Sequence, residues 1–204
     1  MAVLITDKKS IKIRTFWKLF QNNEEKLFLF EGRQAPLLTE LLVELNNFKT
    51  PVVVELSPVM ANGKRQFIVS ADGIKKGFPF VEKIVAMAPP LQKWDVIAFR
   101  QPKTNLTQIQ IGKLRLRISD VYFTYQTENT KLAVDLYIKD YADTAEYNIA
   151  SFLILDALIG EYDTETMLGS ISRHPLKPSH IQHLKPIASL PEVLAFHKKE
   201  LFGN

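Results

Sequence analysis

The sequence of 204 residues contains no cysteine. That absence excludes disulfide scaffolds, thiolate zinc sites, iron–sulfur clusters and cysteine nucleophiles together, and it suits a reducing compartment. Glycine, at 8 residues, and proline, at 11, are not in excess, which excludes a fibrous repeat or a low-complexity linker. Long apolar runs are missing too. The longest, Phe152 to Ile159, is short and interrupted by Asp156. A membrane span needs about 20 apolar residues. At the N-terminus a brief apolar stretch precedes Asp7, Lys8 and Lys9, the reverse of the order in a secretory signal. These features together predict a soluble, cytoplasmic protein with no membrane partner.

Catalytic signatures are equally absent. The chain has no G-x-x-x-x-G-K-[ST], no G-x-G-x-x-G, no H-E-x-x-H and no G-x-S-x-G. Gly63-Lys64 and Gly112-Lys113 lack the flanking residues of a phosphate loop and read as turns. Ser70-Ala71-Asp72-Gly73 places a serine beside an acid, but with no histidine nearby it too reads as a turn. Histidine is confined to His174, His180, His183 and His197. The first three could form a nitrogen set for a metal, against the plainer reading of a solvated, proline-rich loop. No metal site and no cofactor is expected.

What is present is an ordinary globular composition, 46% hydrophobic and 24% charged, with an uneven charge distribution. The net +4 is the sum of three blocks. Residues 1–119 carry 19 basic and 10 acidic side chains, residues 120–166 carry 2 and 10, and residues 167–204 carry 5 and 2. Between Asp95 and Asp120 there is no acid, while Arg100, Lys103, Lys113, Arg115 and Arg117 accumulate. Such a stripe, with Arg100, Arg115 and Arg117 as its binding residues, could follow a phosphate backbone. The simpler account sets it against the acidic block of the same fold or against a partner subunit, which makes nucleic acid the less favoured partner.

Periodicity predicts the elements. Helical spacing marks residues 15–31, with a capping box at Asn22 and Glu25 that would split the segment in two and a stop at Gly32. A second helix covers 36–48. Residues 52–56 and 66–70 are β-branched and pair across Asn62-Gly63. A helix over 78–88 and an apolar, central strand over 94–99 follow. Short strands cover 109–111 and 114–118, and a hairpin joins 121–126 to 132–138. A helix over 145–159, apolar nearly all round and hence buried, stops at Gly160. A strand over 167–172 and an irregular stretch to 189 precede a C-terminal helix with Ser189 and Glu192 as capping box.

Residues 52–99 and 121–172 thus share the order strand, strand, helix, strand. The fold expectation is α+β: a mainly antiparallel sheet built from two such units, helices on one face, two N-terminal helices and one C-terminal helix, or else two small packed sheets. The chain reads as a single domain, 1–204, with sub-units 1–107 and 108–204.

The sharpest polar feature is the run from Leu155 to Asp163. Asp156 shares a stripe with Ile149, Phe152 and Leu153 and needs a partner, for which Arg173 is one choice. With Glu161 and Asp163 it makes a set of three carboxylates that could bind Mg²⁺ or Ca²⁺ or supply acid/base chemistry. The plainer reading puts Glu161 and Asp163 in a solvated loop. Arg100, at the end of the apolar strand, could clamp an anion. Trp17 and Trp94 read as core anchors.

Phe16-Trp17-x-x-Phe20, Ile68-Val69-Ser70-Ala71-Asp72-Gly73, Trp94-x-x-Ile97-Ala98-Phe99-Arg100 and Leu155-Asp156-x-x-x-Gly160-Glu161-Tyr162-Asp163 are similar to a family of uncharacterised bacterial proteins. The resemblance spans most of the chain and implies no activity or site. The functional expectation is therefore a soluble bacterial, non-enzymatic binding or regulatory module that meets a protein partner or a second copy of itself. The alternatives are a carboxylate-dependent, metal-assisted hydrolase centred on Asp156, Glu161 and Asp163, and a nucleic-acid binder that uses the basic stripe.

Overall fold

A computed structural model describes residues 8–30 and 35–203. The expected stop at Gly32 and the N-terminal run before Lys8 lie outside the described residues. The chain divides into two compact units, Met1–Phe99 and Arg100–Asn204. The boundary expected near residue 107 lies inside the second.

In the first unit the N-terminal segment forms α1 (Lys8–Asn22) and the short α2 (Glu24–Phe28). The break falls at Asn23, whose side chain donates to the Leu19 carbonyl at 3.0 Å instead of capping α2. Asn22 is the last residue of α1, so the capping box expected there is not formed, although the split it implied is. Helix α3 (Ala35–Asn46) follows. Strands β1 (Val53–Leu56) and β2 (Arg65–Ser70) pair antiparallel, with Val53 opposite Ser70 and Leu56 opposite Phe67. A 3-10 turn (Lys75–Gly77) leads into α4 (Phe78–Ala86), and β3 (Trp94–Ala98) returns parallel to β2. The sheet order is β1-β2-β3, so β3 is an edge strand and not the central one expected. An apolar run reports covered faces, not lateral position.

The core of this unit is aromatic. Phe16, Phe20, Phe67 and Trp94 meet edge to face or tilted, with Trp94 5.5 Å from Phe20 and Phe67 5.0 Å from Phe20. Such pairs contribute about 0.5–1.5 kcal/mol each beyond their area. Trp17 is buried and donates its indole N–H to the Ile84 carbonyl at 2.8 Å, which fastens α1 to α4. Both tryptophans are core anchors, as expected. Arg65, only 4% exposed, lies under the rings of Phe28 and Phe30 and donates to the Ser57 carbonyl.

The second unit opens with a two-stranded hairpin, β4 (Gln108–Ile111) and β5 (Leu114–Arg117), turned by Gly112 at φ +55°. Strands β6 (Val121–Glu128) and β7 (Lys131–Ile138) form the predicted antiparallel hairpin. Alternation holds along β7, where Leu132, Val134, Leu136 and Ile138 are all buried. Helices α5 (Ala145–Ile159) and α6 (Glu161–Met167) carry the chain to β8 (Leu168–Pro175), which lies parallel to β7. A 3-10 stretch (Pro178–His183), the short β9 (Lys185–Pro186) beside β6 and a second 3-10 turn (Ile187–Ser189) precede α7 (Leu190–Phe202). Ser189 donates its hydroxyl to the Pro186 carbonyl, so the capping box with Glu192 is absent.

Both units contain the expected strand, strand, helix, strand order. In each, the first two strands form an antiparallel pair and the last returns parallel beside the second. The fold is α+β with mixed sheets, helices at the N-terminal end and a C-terminal helix. Among the described residues the strands fall into sheets of three, two and four. Among the described residues no helix is long and apolar enough to cross a membrane. Helix α5 is not buried all round as expected, since Ile149 and Phe152 are exposed and its covered face is Ala150, Ile154, Leu155 and Ile159. Overall hydrophobicity marks the helix as apolar, but which face is covered depends on neighbours distant in sequence.

Candidate functional site

The candidate site lies where α5 ends. Gly160 takes φ +85° and ψ 153°, a region essentially reserved for glycine, and turns the chain sharply into α6. Its missing side chain also admits the segment that begins at Arg100. A Cβ on Gly160 would stand 3.0 Å from the Pro102 ring and 3.2 Å from the Arg100 carbonyl.

That segment is tied to the helix junction by backbone bonds. Glu161 N–H donates to the Arg100 carbonyl at 2.9 Å, and Lys103 N–H donates to the Ala157 carbonyl at 2.7 Å. In return the Arg100 N–H donates to the Glu161 carboxylate at 3.2 Å. Glu161 is completely buried in the first turn of α6, which corrects the expectation of a solvated loop. A backbone donor meets its buried side chain, and the N-terminal turn of a helix suits an acidic residue.

Arg100 reaches the second carboxylate as well. Its Nη1 stands 3.9 Å from Asp156 Oδ2, with the two side chains 20% and 15% exposed. The separation gives an attraction but no hydrogen bond. Burial raises the Asp156 pKa to about 6, and Glu161 and Glu165 push the same way, while a Thr164 hydrogen bond and Arg100 oppose the rise. The partner of Asp156 is thus Arg100, not Arg173. Arg173 instead places its guanidinium 4.8 Å from the Phe152 ring centre, with Nε and Nη2 buried and unbonded. Burial lowers its pKa.

The three expected carboxylates do not converge. Asp163 is drawn to α7, where Lys198 Nζ donates to both its oxygens at 2.6 Å. Two clefts adjoin this pair. One, of about 220 Å³, is lined by Pro102, Ile159, Asp163, Leu194 and Lys198. The other, of about 460 Å³, is lined by Thr130, Tyr162, Asp163, Met167, Lys198 and Phe202. Neither is lined by Asp156, Glu161 or Arg100. Sequence reasoning missed Lys198 and Thr164. Lys198 lies 35 residues from Asp163 and carries no local signal, whereas Thr164 sits one turn after Gly160 and donates to its carbonyl, a back-bond readable from spacing.

The other candidates disperse. Arg115 and Arg117 are exposed on β5, cross-strand from Gln110 and Gln108, whereas Arg100 is half-buried among acids. Arg100 thus differs from Arg115 and Arg117 in burial and surroundings. His174 approaches Asp135 at 3.2 Å, and His180 and His183 are exposed. His197 is buried on α7, within 3.2 Å of the Thr130 carbonyl. Among the described residues no group of three His, Asp or Glu side chains could hold a metal ion. Ser70 Oγ accepts the Asp72 N–H at 2.9 Å in a turn with Asp72 at φ +53°. No family model, curated protein or solved structure matches this chain.

Proposed function

We propose that the protein is a soluble, non-catalytic binding module. The observation that supports this reading is the engagement of its candidate catalytic carboxylates with groups of their own chain. Asp156 faces Arg100, Glu161 accepts the Arg100 N–H, and Asp163 is held by Lys198. Acid/base or metal chemistry needs carboxylates that share a cleft with the substrate. Here two point to one arginine and the third to a lysine on another helix.

The competing reading is a hydrolase that uses Asp156 as a proton donor, favoured by the elevated pKa of that one group. Melting curves with Ca²⁺, Mg²⁺ and Mn²⁺, and hydrolysis of generic carboxyl and phosphate esters, separate the two. The binding reading expects no metal-dependent rise in melting temperature and no turnover. Turnover that disappears in Asp156→Asn would establish the hydrolase instead. A partner protein or a second copy remains the expected occupant of its surface, and light scattering with pull-down reads that directly.

A further inference from the structure

The first unit contains a cleft of another chemistry. Lys9 of α1, Lys49 in the turn after α3, Lys76 of the 3-10 turn and Lys83 of α4 line one pocket of about 510 Å³. Its other described lining residues are Thr50, two prolines and Phe80, none of them an acid. Three separate stretches of the chain, at Lys9, Lys49 and Lys76–Lys83, thus contribute lysines to the lining of one pocket. Among the described residues Lys9, Lys49 and Lys76 have no acidic partner. The unit as a whole carries 14 basic and 10 acidic residues, so the net +4 of the chain resides here, while the second unit has 12 of each.

The cleft is built by close packing. Gly77 lets the start of α4 approach the chain that leaves α3, since a Cβ there would stand 2.6 Å from the Pro51 carbonyl and 2.9 Å from Ala71 Cβ. Phe48 packs tilted against Phe80 with ring centres 4.8 Å apart and joins the same two segments. Lys49 is held at φ +51°, a conformation more often taken by glycine or asparagine after a helix. A lysine at that position costs backbone energy, and it lines the basic cleft.

Like charges gathered in a cleft repel one another and are balanced by an anion of matching charge. Ammonium groups act as compact point charges with three donors each, suited to phosphate oxygens. The volume lies within the range of small-molecule sites. We propose that this pocket binds a small oligophosphate anion, two or more linked phosphate groups, free or as the end of a nucleotide. The proposal rests on the non-catalytic binding reading and supplies the class of ligand.

Calorimetry on the full chain at about 50 mM salt tests it, with inorganic tripolyphosphate and ADP as probes. The expected result is saturable one-site binding, weakened at least about tenfold in the Lys49→Gln/Lys76→Gln double variant and in Lys76→Glu. Lys113→Gln, on the exposed hairpin of the other unit, should bind as the parent does. Lys9→Gln, at an exposed position of α1, reads the site independently if the double variant fails to fold. A preference for ADP assigns the proline and Phe80 wall to a base, and equal binding assigns recognition to phosphate alone. Absence of saturable binding to both probes, or parental affinity in the lysine variants, overturns the proposal and leaves the non-catalytic reading standing. Cleavage of bound tripolyphosphate does the opposite: the pocket stands and the non-catalytic reading falls.

Discussion

Arg100 engages both acidic groups at the junction of α5 and α6: its guanidinium stands 3.9 Å from Asp156, and its backbone N–H donates to Glu161 at 3.2 Å. The first residue of the second unit thus anchors the incoming chain to a helix break some 60 positions away. The two contacts differ in kind. The bond to Glu161 satisfies a buried donor and a buried acceptor at once. The approach to Asp156 is too long for a hydrogen bond, so burial outweighs it and the carboxyl titrates at about 6.

That balance predicts a pH dependence. The folded state holds the Asp156 proton more tightly than the unfolded chain, in which an aspartate titrates at about 3.9. The resulting stabilisation is fully present below that value and is lost as pH rises through about 6. A shift of about two units corresponds to at most about 3 kcal/mol. Asp156→Asn keeps the shape without the charge. Urea unfolding should show the variant and parent equal near pH 4, and the variant more stable by about 1–2 kcal/mol at pH 8. Equal slopes in the two proteins would show that Asp156 is not the group concerned.

The identity of the arginine partner is separable by double-mutant cycles. Arg100→Gln with Asp156→Asn should show a coupling of about 0.5–1 kcal/mol, since the pair is shielded but long. Arg173→Gln with Asp156→Asn should show none. Arg173 makes its case alone: two of its nitrogens are buried without a hydrogen bond, so Arg173→Met, which retains the contact with Phe152, should be neutral or mildly stabilising in thermal melts. A loss of more than about 2 kcal/mol in Arg173→Met would assign that guanidinium a structural bond.

How much of this could be read beforehand follows the range of each signal. The hairpin of Val121–Glu128 and Lys131–Ile138 is legible because alternation is local, and α5 because its apolar run and glycine stop are local. The parallel return of β3 and β8 is not, since the partner of a crossover strand is set by packing. At the site, Arg100, Asp156, Glu161 and Asp163 are each visible as polar residues at the edge of apolar runs. Their grouping is not legible there: Arg100 meets Asp156, and Lys198 meets Asp163, only across long stretches of chain. The lysine cleft has no linear signature, because Lys9, Lys49 and the pair Lys76 and Lys83 belong to three separate stretches; packing at Gly77 and Phe48 joins the last two.

Glu161 is the most sensitive side chain of the junction. It is fully buried and accepts the Arg100 N–H. Glu161→Ala removes the acceptor and opens a cavity, and should cost about 2–4 kcal/mol in urea unfolding. Glu161→Gln retains an acceptor oxygen and should cost about half as much or less. A reversed order would mean that the charge, not the bond to Arg100, is what the site requires.

Gly160 tests whether the Arg100 segment and the helix break form one structure. Its φ of +85° with ψ 153° disfavours any side chain, and the space for a Cβ is already taken by Pro102 and the Arg100 carbonyl. Gly63 provides the comparison: its φ is +77°, but nothing lies within 4 Å of the Cβ position. Gly63→Ala should therefore cost about 1 kcal/mol, from backbone conformation alone. Gly160→Ala should cost about 3 kcal/mol, the excess arising from displacement of the Arg100–Pro102 segment. That displacement has its own readout. Because the Lys103 N–H donates to the Ala157 carbonyl, its hydrogen exchange should accelerate in Gly160→Ala and remain slow in Gly63→Ala. Equal exchange in the two variants would leave the Arg100 segment independent of the turn at Gly160.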